Sequence, residues 1–248
     1  MMKAKLPMTY ENYVFDLYGT LVDIRTWEDD KALWEKLSLF FGYYDAHYSP
    51  VELQKAYGTL VQGKEKALKS TLEQDARYSH EASPEIEITE VFRELYLQKG
   101  VEPTEELIVH SGQFFRVLST EYVRAYPGTE EMLKELKAKG KKVYLLSNAQ
   151  RIFTEYEMHV LGIAKYFDGI LISSDYKTKK PDKRFFDILM ERFALKEAET
   201  LFIGNDSRTD IAGAKQVNLD TFYVKSNISP EGDMAETADY IVKDFTCW

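Results

Sequence analysis

The chain has 248 residues, of which 44% are apolar and 29% charged, so it can build a core and is not a disordered tail. Its 41 acidic and 32 basic residues give a net charge of -9, which disfavours a nucleic-acid or an anionic membrane surface. We therefore expect a protein that acts on small molecules.

The single cysteine, Cys247, excludes an internal disulfide framework and a zinc site built from several cysteines. The first residues lack the apolar run of a signal peptide, and no segment approaches the ~20 apolar residues that span a bilayer. These features predict a cytoplasmic protein with neither a membrane nor a nucleic-acid partner. They leave open whether it is a monomer or a homodimer.

The first predicted strand is the apolar run at residues 13–15, which ends at Asp16. Residues 24–125 then indicate at least four amphipathic helices and no strand. The first helix is predicted to start at Thr26 and to stop at Gly42, and the second starts at Ser49 with Pro50 and Glu52. The third starts at Ser83–Pro84 and stops at Gly100, and the fourth contains Leu107.

After this block, helix and short strand alternate, which is typical of a parallel α/β sheet. A helix is predicted at residues 129–139. Buried strands are predicted at residues 143–146, 169–172, 201–203, 222–224 and 240–242. The first strand has no nearby partner unless it joins this sheet. We therefore predict an α/β fold, a Rossmann-like parallel sheet core (1–23 and 126–248) with an inserted all-α cap domain (24–125).

Polar side chains collect where the predicted strands end. They are Asp16, Tyr18, Gly19 and Thr20 after the first strand, Ser147 and Asn148 after the second, Lys180 in a later loop, and Asp206 and Asp210 after the strand at 201. Reactive groups of an open parallel sheet gather at this carboxyl edge. The combination suits an anionic substrate that is held by Mg²⁺ and attacked by an aspartate.

Four segments, DLYGTLVD, LLSNA, KKPD and IGNDSRTDIAGAK, resemble in this order the motifs of the haloacid dehalogenase-like hydrolase superfamily. The resemblance covers almost the whole chain, and the helical block after the first motif resembles the α-helical cap of that family. It implies that Asp16 is the nucleophile of a covalent aspartyl intermediate. A carboxylate is a poor nucleophile unless the charge of its target is neutralised, and Lys180 together with Mg²⁺ would provide that neutralisation.

The resemblance implies roles for the other matching residues as well. Thr20 would orient the nucleophile loop, to which Gly19 belongs as a substrate-binding residue. Ser147 and Asn148 would hydrogen-bond the oxygens of the transferring group. The ligands implied for Mg²⁺ are Asp16, Asp206, Asp210 and the backbone carbonyl of Tyr18.

The sequence departs from the phosphatase pattern at Tyr18, which is also a predicted catalytic residue. Phosphatases of this family usually carry D-x-D, and the second aspartate protonates the leaving oxygen and later activates water. A tyrosine with a pKa of ~10 cannot act as a general base at neutral pH without a large shift. The DLYGT segment resembles 2-haloacid dehalogenases at this point, and a halide leaves without a proton.

Two features argue against a metal-independent dehalogenase. Such enzymes carry a short S-S-N-x-x-D segment, whereas this chain has Asp206 and Asp210, whose charges beside Asp16 require a cation. They also place an arginine early in the cap, and none lies between Arg25 and Arg77. The predicted function is a Mg²⁺-dependent phosphatase-type hydrolase of a small phosphorylated metabolite with a good leaving group, such as an acyl phosphate. A metal-independent 2-haloacid dehalogenase and a catalytically weak ligand-binding relative stay open.

Overall fold

The computed structural model describes residues 5–242, and Cys247 lies outside them. The strands are β1 (Asn12–Phe15), β2 (Val22–Thr26), β3 (Thr120–Ala125), β4 (Lys142–Ser147), β5 (Gly169–Ile172), β6 (Thr200–Gly204), β7 (Asp220–Val224) and β8 (Tyr240–Val242). The α-helices are α1 (Lys31–Gly42), α2 (Pro50–Leu72), α3 (Ile88–Leu97), α4 (Glu105–Ser119), α5 (Thr129–Ala138), α6 (Arg151–Val160), α7 (Ser173–Tyr176), α8 (Lys183–Arg192) and α9 (Ala212–Lys215). None of these helices is both long and apolar enough to cross a membrane.

Six strands form one parallel sheet in the order β5-β4-β1-β6-β7-β8. This confirms the predicted Rossmann-like core and the prediction that the first strand joins the later ones. In the central strand, Phe15 lies opposite Leu145 on one side and Ile203 on the other. Because parallel strands end at the same edge, the residues that follow β1, β4 and β6 meet there.

Side chains that alternate along β1 fill a hydrophobic layer on each face of the sheet. Phe15 is fully buried in the layer that contains Leu133 of α5. Val14 points to the opposite layer, where it packs with Phe185 and Phe186 of α8. Helices therefore cover both faces and hold the carboxyl edge of the sheet in a fixed position.

The helices α1–α4, here called the helical insert, have a core of their own. It includes the buried rings of Phe41, Phe92 and Phe115. The ring of Phe41 stacks on that of Tyr96, with the centroids 4.3 Å apart. The insert is thus a packed unit, because aromatic side chains of this size bury large apolar areas.

The prediction that residues 24–125 contain no strand is wrong. β2 and β3 pair antiparallel into a ribbon at the base of the insert, with Val22 opposite Ala125. Their sequences, VDIRT and TEYVRA, are short and half exposed, so they lack the apolar run that marks a buried strand. Asp23 fixes the ribbon, because it accepts hydrogen bonds from Arg124 at 2.8 Å and from Asn227 at 2.9 Å.

Two predicted helix starts also need correction, whereas the Ser49 capping box is confirmed. α1 begins at Lys31 instead of Thr26, because the Asp30 side chain caps it by accepting from the backbone of Ala32. α3 begins at Ile88 instead of Ser83–Pro84. Tertiary contacts keep the preceding segment extended, since Pro84 forms a β-bridge with Thr178 of the core.

Candidate active site

Lys180 joins two aspartates at the carboxyl edge of the sheet. Its ammonium donates to Oδ1 of Asp16 at 2.6 Å and to Oδ1 of Asp210 at 2.7 Å. Asp16 follows β1, Lys180 lies in the loop before α8, and Asp210 lies in a π-helical turn after β6. The structure thus brings together three of the predicted residues, all of them buried.

One ammonium faces two carboxylates in this cluster, which leaves it net negative. Burial lowers the pKa of Lys180, but the charges of Asp16 and Asp210 outweigh this effect and raise it. Burial raises the pKa of Asp210 well above its usual range, and Lys180 opposes that rise. A further positive charge would therefore stabilise the ionised pair.

Residues 16–21 between β1 and β2 are called the nucleophile loop, after the role predicted for Asp16. This loop contacts Asn205, which is not among the predicted site residues. Thr20 donates its hydroxyl to Oδ2 of Asp16 at 3.1 Å and to Oδ1 of Asn205 at 3.3 Å. Gly19 has a φ of +92°, and a Cβ at that position would collide with the Asn205 side chain. Glycine is therefore required by both the backbone conformation and the space.

The structure does not place the predicted metal ligand Asp206 in one cluster with Asp16 and Asp210, because no group of three such side chains that could hold a metal ion occurs among the described residues. Oδ1 of Asp206 accepts from the backbone of Arg208 at 2.7 Å and Thr209 at 3.2 Å, so it caps the helical turn that follows β6. The preceding residue, Asn205, is the one that reaches the nucleophile loop. Sequence alone does not separate the two residues, because each is a suitable cap for the turn that follows β6.

Of the two residues predicted to bind the transferring group at the end of β4, Asn148 hydrogen-bonds the backbone of Lys180. Asn148 donates from Nδ2 to the backbone carbonyl of Lys180 at 3.0 Å and accepts from its N–H at 2.8 Å. This two-way bond fixes the loop that presents the lysine. The hydroxyl of Ser147 is fully buried and has no hydrogen-bond partner among the described residues. Such unpaired groups are rare in folded proteins.

The Tyr18 hydroxyl is not a free acid or base. It donates to Glu157 of α6 at 2.5 Å and lies 3.1 Å from the Thr154 hydroxyl. Burial, and then the charge of Glu157, raise the pKa of Tyr18 above its usual value. Its proton is thus held by Glu157 in this structure, which agrees with the expectation that Tyr18 does not act as a general base at neutral pH.

A segment of the insert, residues 78–87, crosses the core beside Lys180 and is here called the strap. Its main anchor is Asp182, which is buried and follows the lysine by two positions. Asp182 lies 2.7 Å from Nε2 of His80, accepts from the backbone of Ser83 at 2.9 Å and pairs with Arg184 at 3.0 Å. The carboxylate thus ties the strap to the loop that carries Lys180.

The strap also contacts the loops after β4 and β5. Glu85 accepts from Gln150 at 3.1 Å and from the Ser173 hydroxyl at 2.9 Å. Gln150 in turn donates to the carbonyl of Ile86 at 2.8 Å. A cavity of about 770 Å³ lies between α2 and the strap, and neither Asp16 nor Asp210 lines it. The side chains of the carboxylate cluster are buried in this arrangement.

Replacing Asp182 with Asn should release the strap. Burial raises the pKa of Asp182, but the bonds from Ser83, His80 and Arg184 outweigh this and hold the pKa below its usual value. Its stabilising effect is therefore present at neutral pH and lost as the pH falls below about 4. We expect Asp182→Asn to lower the free energy of unfolding by about 1–3 kcal/mol and to speed proteolysis within the strap.

A matched control for this variant is Asp239→Asn, because the Asp239 carboxylate also accepts from a backbone N–H, that of Thr221 at 2.7 Å, but lies outside the strap. Urea denaturation at pH 7 and at about pH 3, below the ordinary pKa of an aspartate, measures the stability of both variants, and limited trypsin digestion at pH 7 measures cleavage within the strap. The difference in stability between wild type and Asp182→Asn should shrink on acidification. A difference that is the same at both pH values would contradict the assigned role of the ionised carboxylate.

The oxygen atoms of the cluster are of the kind that Mg²⁺ prefers. No group of three or more His, Cys, Asp or Glu side chains within residues 5–242 could hold a metal ion. Two carboxylates, Asp16 and Asp210, do lie together and carry excess negative charge. Mg²⁺ is usually bound through one or two carboxylates together with substrate phosphate and water, so this oxygen-rich site fits it.

Curated proteins with similar sequence include several phosphatases. Over 120 residues the chain is 30% identical to the glyceraldehyde 3-phosphate phosphatase of Methanocaldococcus jannaschii, covering 48% of this chain and 53% of that protein. It spans about half the length of the curated relatives that it matches.

Solved structures share the fold over nearly the whole chain. A HAD phosphatase from Thermococcus onnurineus has a TM-score of 0.56 at 18% identity, covering 94% of each chain. The 2-haloacid dehalogenase of Pseudomonas syringae pv. Tomato DC3000 has a TM-score of 0.57 at 20% identity, covering 87% of this chain and 86% of that one. The model of the haloacid dehalogenase-like hydrolases matches residues 10–218, and the chain therefore belongs to that family.

Proposed function

We propose that this chain is a Mg²⁺-dependent phosphohydrolase that transfers the phosphoryl group of a small metabolite to Asp16. The observation that carries the proposal is the placement of Asp16, whose two carboxylate oxygens are held by Lys180 and Thr20 at the carboxyl edge of the sheet. The phosphatase names of the curated relatives support the same class of substrate. Residues 24–125 would form the cap over this site.

In the proposed first step, a carboxylate oxygen of Asp16 attacks phosphorus, and the bond from phosphorus to the leaving oxygen breaks with its electron pair on that oxygen. Lys180 offsets the negative charge, and the unpaired hydroxyl of Ser147 gives a hydrogen bond to a phosphoryl oxygen. Mg²⁺, held by Asp16, Asp210 and the backbone carbonyl of Tyr18, would neutralise charge on the phosphoryl group. Water then hydrolyses the aspartyl phosphate.

The hydrogen bond of the Tyr18 hydroxyl determines which leaving groups the proposed reaction can expel. Because its proton is donated to Glu157, it is not available to the leaving oxygen. The leaving group must therefore depart as an anion, which favours groups of low pKa. An acyl phosphate, which releases a carboxylate, is the substrate class that fits best.

Phosphate release from acetyl phosphate and from p-nitrophenyl phosphate, each with Mg²⁺ and with excess chelator, tests the proposal. We expect phosphate release that depends on Mg²⁺. We also expect kcat/KM for acetyl phosphate to be at least ~10-fold higher than for an alkyl phosphate. A simple alkyl phosphate such as glycerol phosphate, whose leaving group needs a proton, is the matched control. Equal rates on the acyl and alkyl phosphates would refute the leaving-group argument, and no release would refute the phosphohydrolase itself.

One observation favours a second candidate, the metal-independent 2-haloacid dehalogenase. Because Asn205 and not Asp206 contacts the nucleophile loop, the cluster holds one carboxylate fewer than predicted, and the need for a cation is smaller. This candidate predicts chloride release from 2-chloropropionate that chelator does not change. The third candidate, a catalytically weak ligand-binding relative, predicts release of neither phosphate nor chloride.

A further inference from the structure

A buried polar network lies outside the carboxylate cluster and joins Tyr18, Glu157 and Arg116. The Tyr18 hydroxyl donates to Oε2 of Glu157. Arg116 donates from Nε to Oε1 at 2.7 Å and from Nη2 to Oε2 at 3.1 Å, in the forked geometry of strong arginine–carboxylate pairs. The Arg116 guanidinium also lies 5.6 Å from the centre of the Tyr18 ring.

The three residues belong to three different parts of the molecule. Tyr18 lies in the nucleophile loop, two positions after Asp16, and Glu157 lies on α6 of the core. Arg116 lies in the last turn of α4, at the point where the helical insert returns to the ribbon. Its backbone carbonyl accepts from the hydroxyl of Thr120, the first residue of β3, at 2.7 Å. The network thus connects the insert directly to the nucleophile loop.

Because the network is buried, loss of any one of its three side chains should destabilise the contact between α4 and α6. The side chains of Arg116 and Glu157 are only 17% and 10% exposed. Removing the arginine would leave a carboxylate buried without a cation, which costs far more than the loss of a surface pair. The network therefore holds together while α4 lies against α6 and breaks if the two helices separate.

We propose that Arg116 and Glu157 are positioning residues that couple the placement of the helical insert to the shape of the nucleophile loop, through the Tyr18 side chain. When α4 lies against α6, the Tyr18 ring is clamped, and the adjacent backbone and Asp16 are fixed in the arrangement described above. When α4 moves away, the loop loses this support. The kinetic consequence rests on the proposed phosphohydrolase function, whereas the coupling itself does not.

Amide hydrogen exchange tests the coupling without requiring activity. We expect Arg116→Met to raise exchange about tenfold at residues 17–22, although these residues lie in the core and Arg116 in the insert. Arg116→Lys should give a smaller rise, because it keeps the charge but loses the fork. Tyr18→Phe and Glu157→Gln should raise exchange in the same loop. Tyr166→Phe, which removes another tyrosine–glutamate bond of the core, to Glu130 at 2.8 Å, is the control that should leave it unchanged.

Steady-state kinetics provide the second readout. Loss of positioning should lower kcat about tenfold with KM nearly unchanged, and the double variant Tyr18→Phe/Glu157→Gln should lose no more than the worse single variant. If KM rises and kcat does not change, Arg116 contacts substrate and the positioning role is overturned. If stability falls while exchange at residues 17–22 stays at the wild-type level, the network is only structural and the coupling is overturned. A wild type without turnover would refute the proposed function, and the exchange data would still decide the coupling.

Discussion

Asp16→Asn should lower turnover by about 10⁴-fold or more, because the variant lacks the oxygen nucleophile that the proposed mechanism requires. The fold should survive the change. Asn keeps an oxygen for Lys180 and removes one of two buried negative charges that face a single ammonium. The measurement is phosphate release with acetyl phosphate, together with a thermal melt of the purified variant.

Asp168→Asn is the matched control for this variant. Asp168 accepts from the backbone of Val143, near the start of β4, at the edge of the sheet opposite the cluster. This substitution should change stability by a small amount and leave turnover per folded molecule intact. Wild-type activity in Asp16→Asn would exclude the aspartyl intermediate, whatever the substrate proves to be.

Lys180→Met should lower the free energy of unfolding by about 3–5 kcal/mol, because it leaves Asp16 and Asp210 buried without their ammonium. The loss should exceed that of any surface lysine. Lys139→Met, which breaks an exposed pair with Glu135, is the control and should cost less than about 1 kcal/mol. Urea denaturation at neutral pH in the presence of chelator measures both.

The double variant Lys180→Met/Asp210→Asn separates the charge effect from simple loss of packing. Removing one carboxylate should restore a large part of the lost stability, since the remaining cluster carries a single charge. Activity should not return, because the phosphoryl charge still lacks the ammonium. No recovery of stability in the double variant would contradict the charge argument, since Met keeps most of the apolar stem of the lysine.

The fold was largely predictable because its signals are local. The strands of the parallel sheet contain apolar runs such as VYLL in β4 and LFI in β6, and the Ser49 capping box depends on residues three positions apart. The β2–β3 ribbon was missed because its strands are polar and pair across almost the full length of the insert. The start of α3 was missed for a related reason, since contacts with Thr178 override the local preference of Ser83–Pro84.

For the candidate site, the positions at strand ends were predictable, but the partners of each side chain were not. Asp16 and Lys180 follow from their place after a strand and in the later loop. The choice between Asn205 and Asp206 depends on which side chain caps the turn after β6, and both residues are plausible caps in sequence. The attachment of Tyr18 to Glu157 joins residues far apart in the chain and carries no local signal.

The strap changes the kind of motion that is open to the helical insert. A body attached along one line can rotate about it, whereas a body attached along two separate lines can only bend. The ribbon holds the insert beside β1 and β7, and the strap holds it again beyond β4 and β5. We therefore expect ligand exchange at Asp16 to depend on local detachment of the strap, and the frequency of that detachment would then limit the turnover rate.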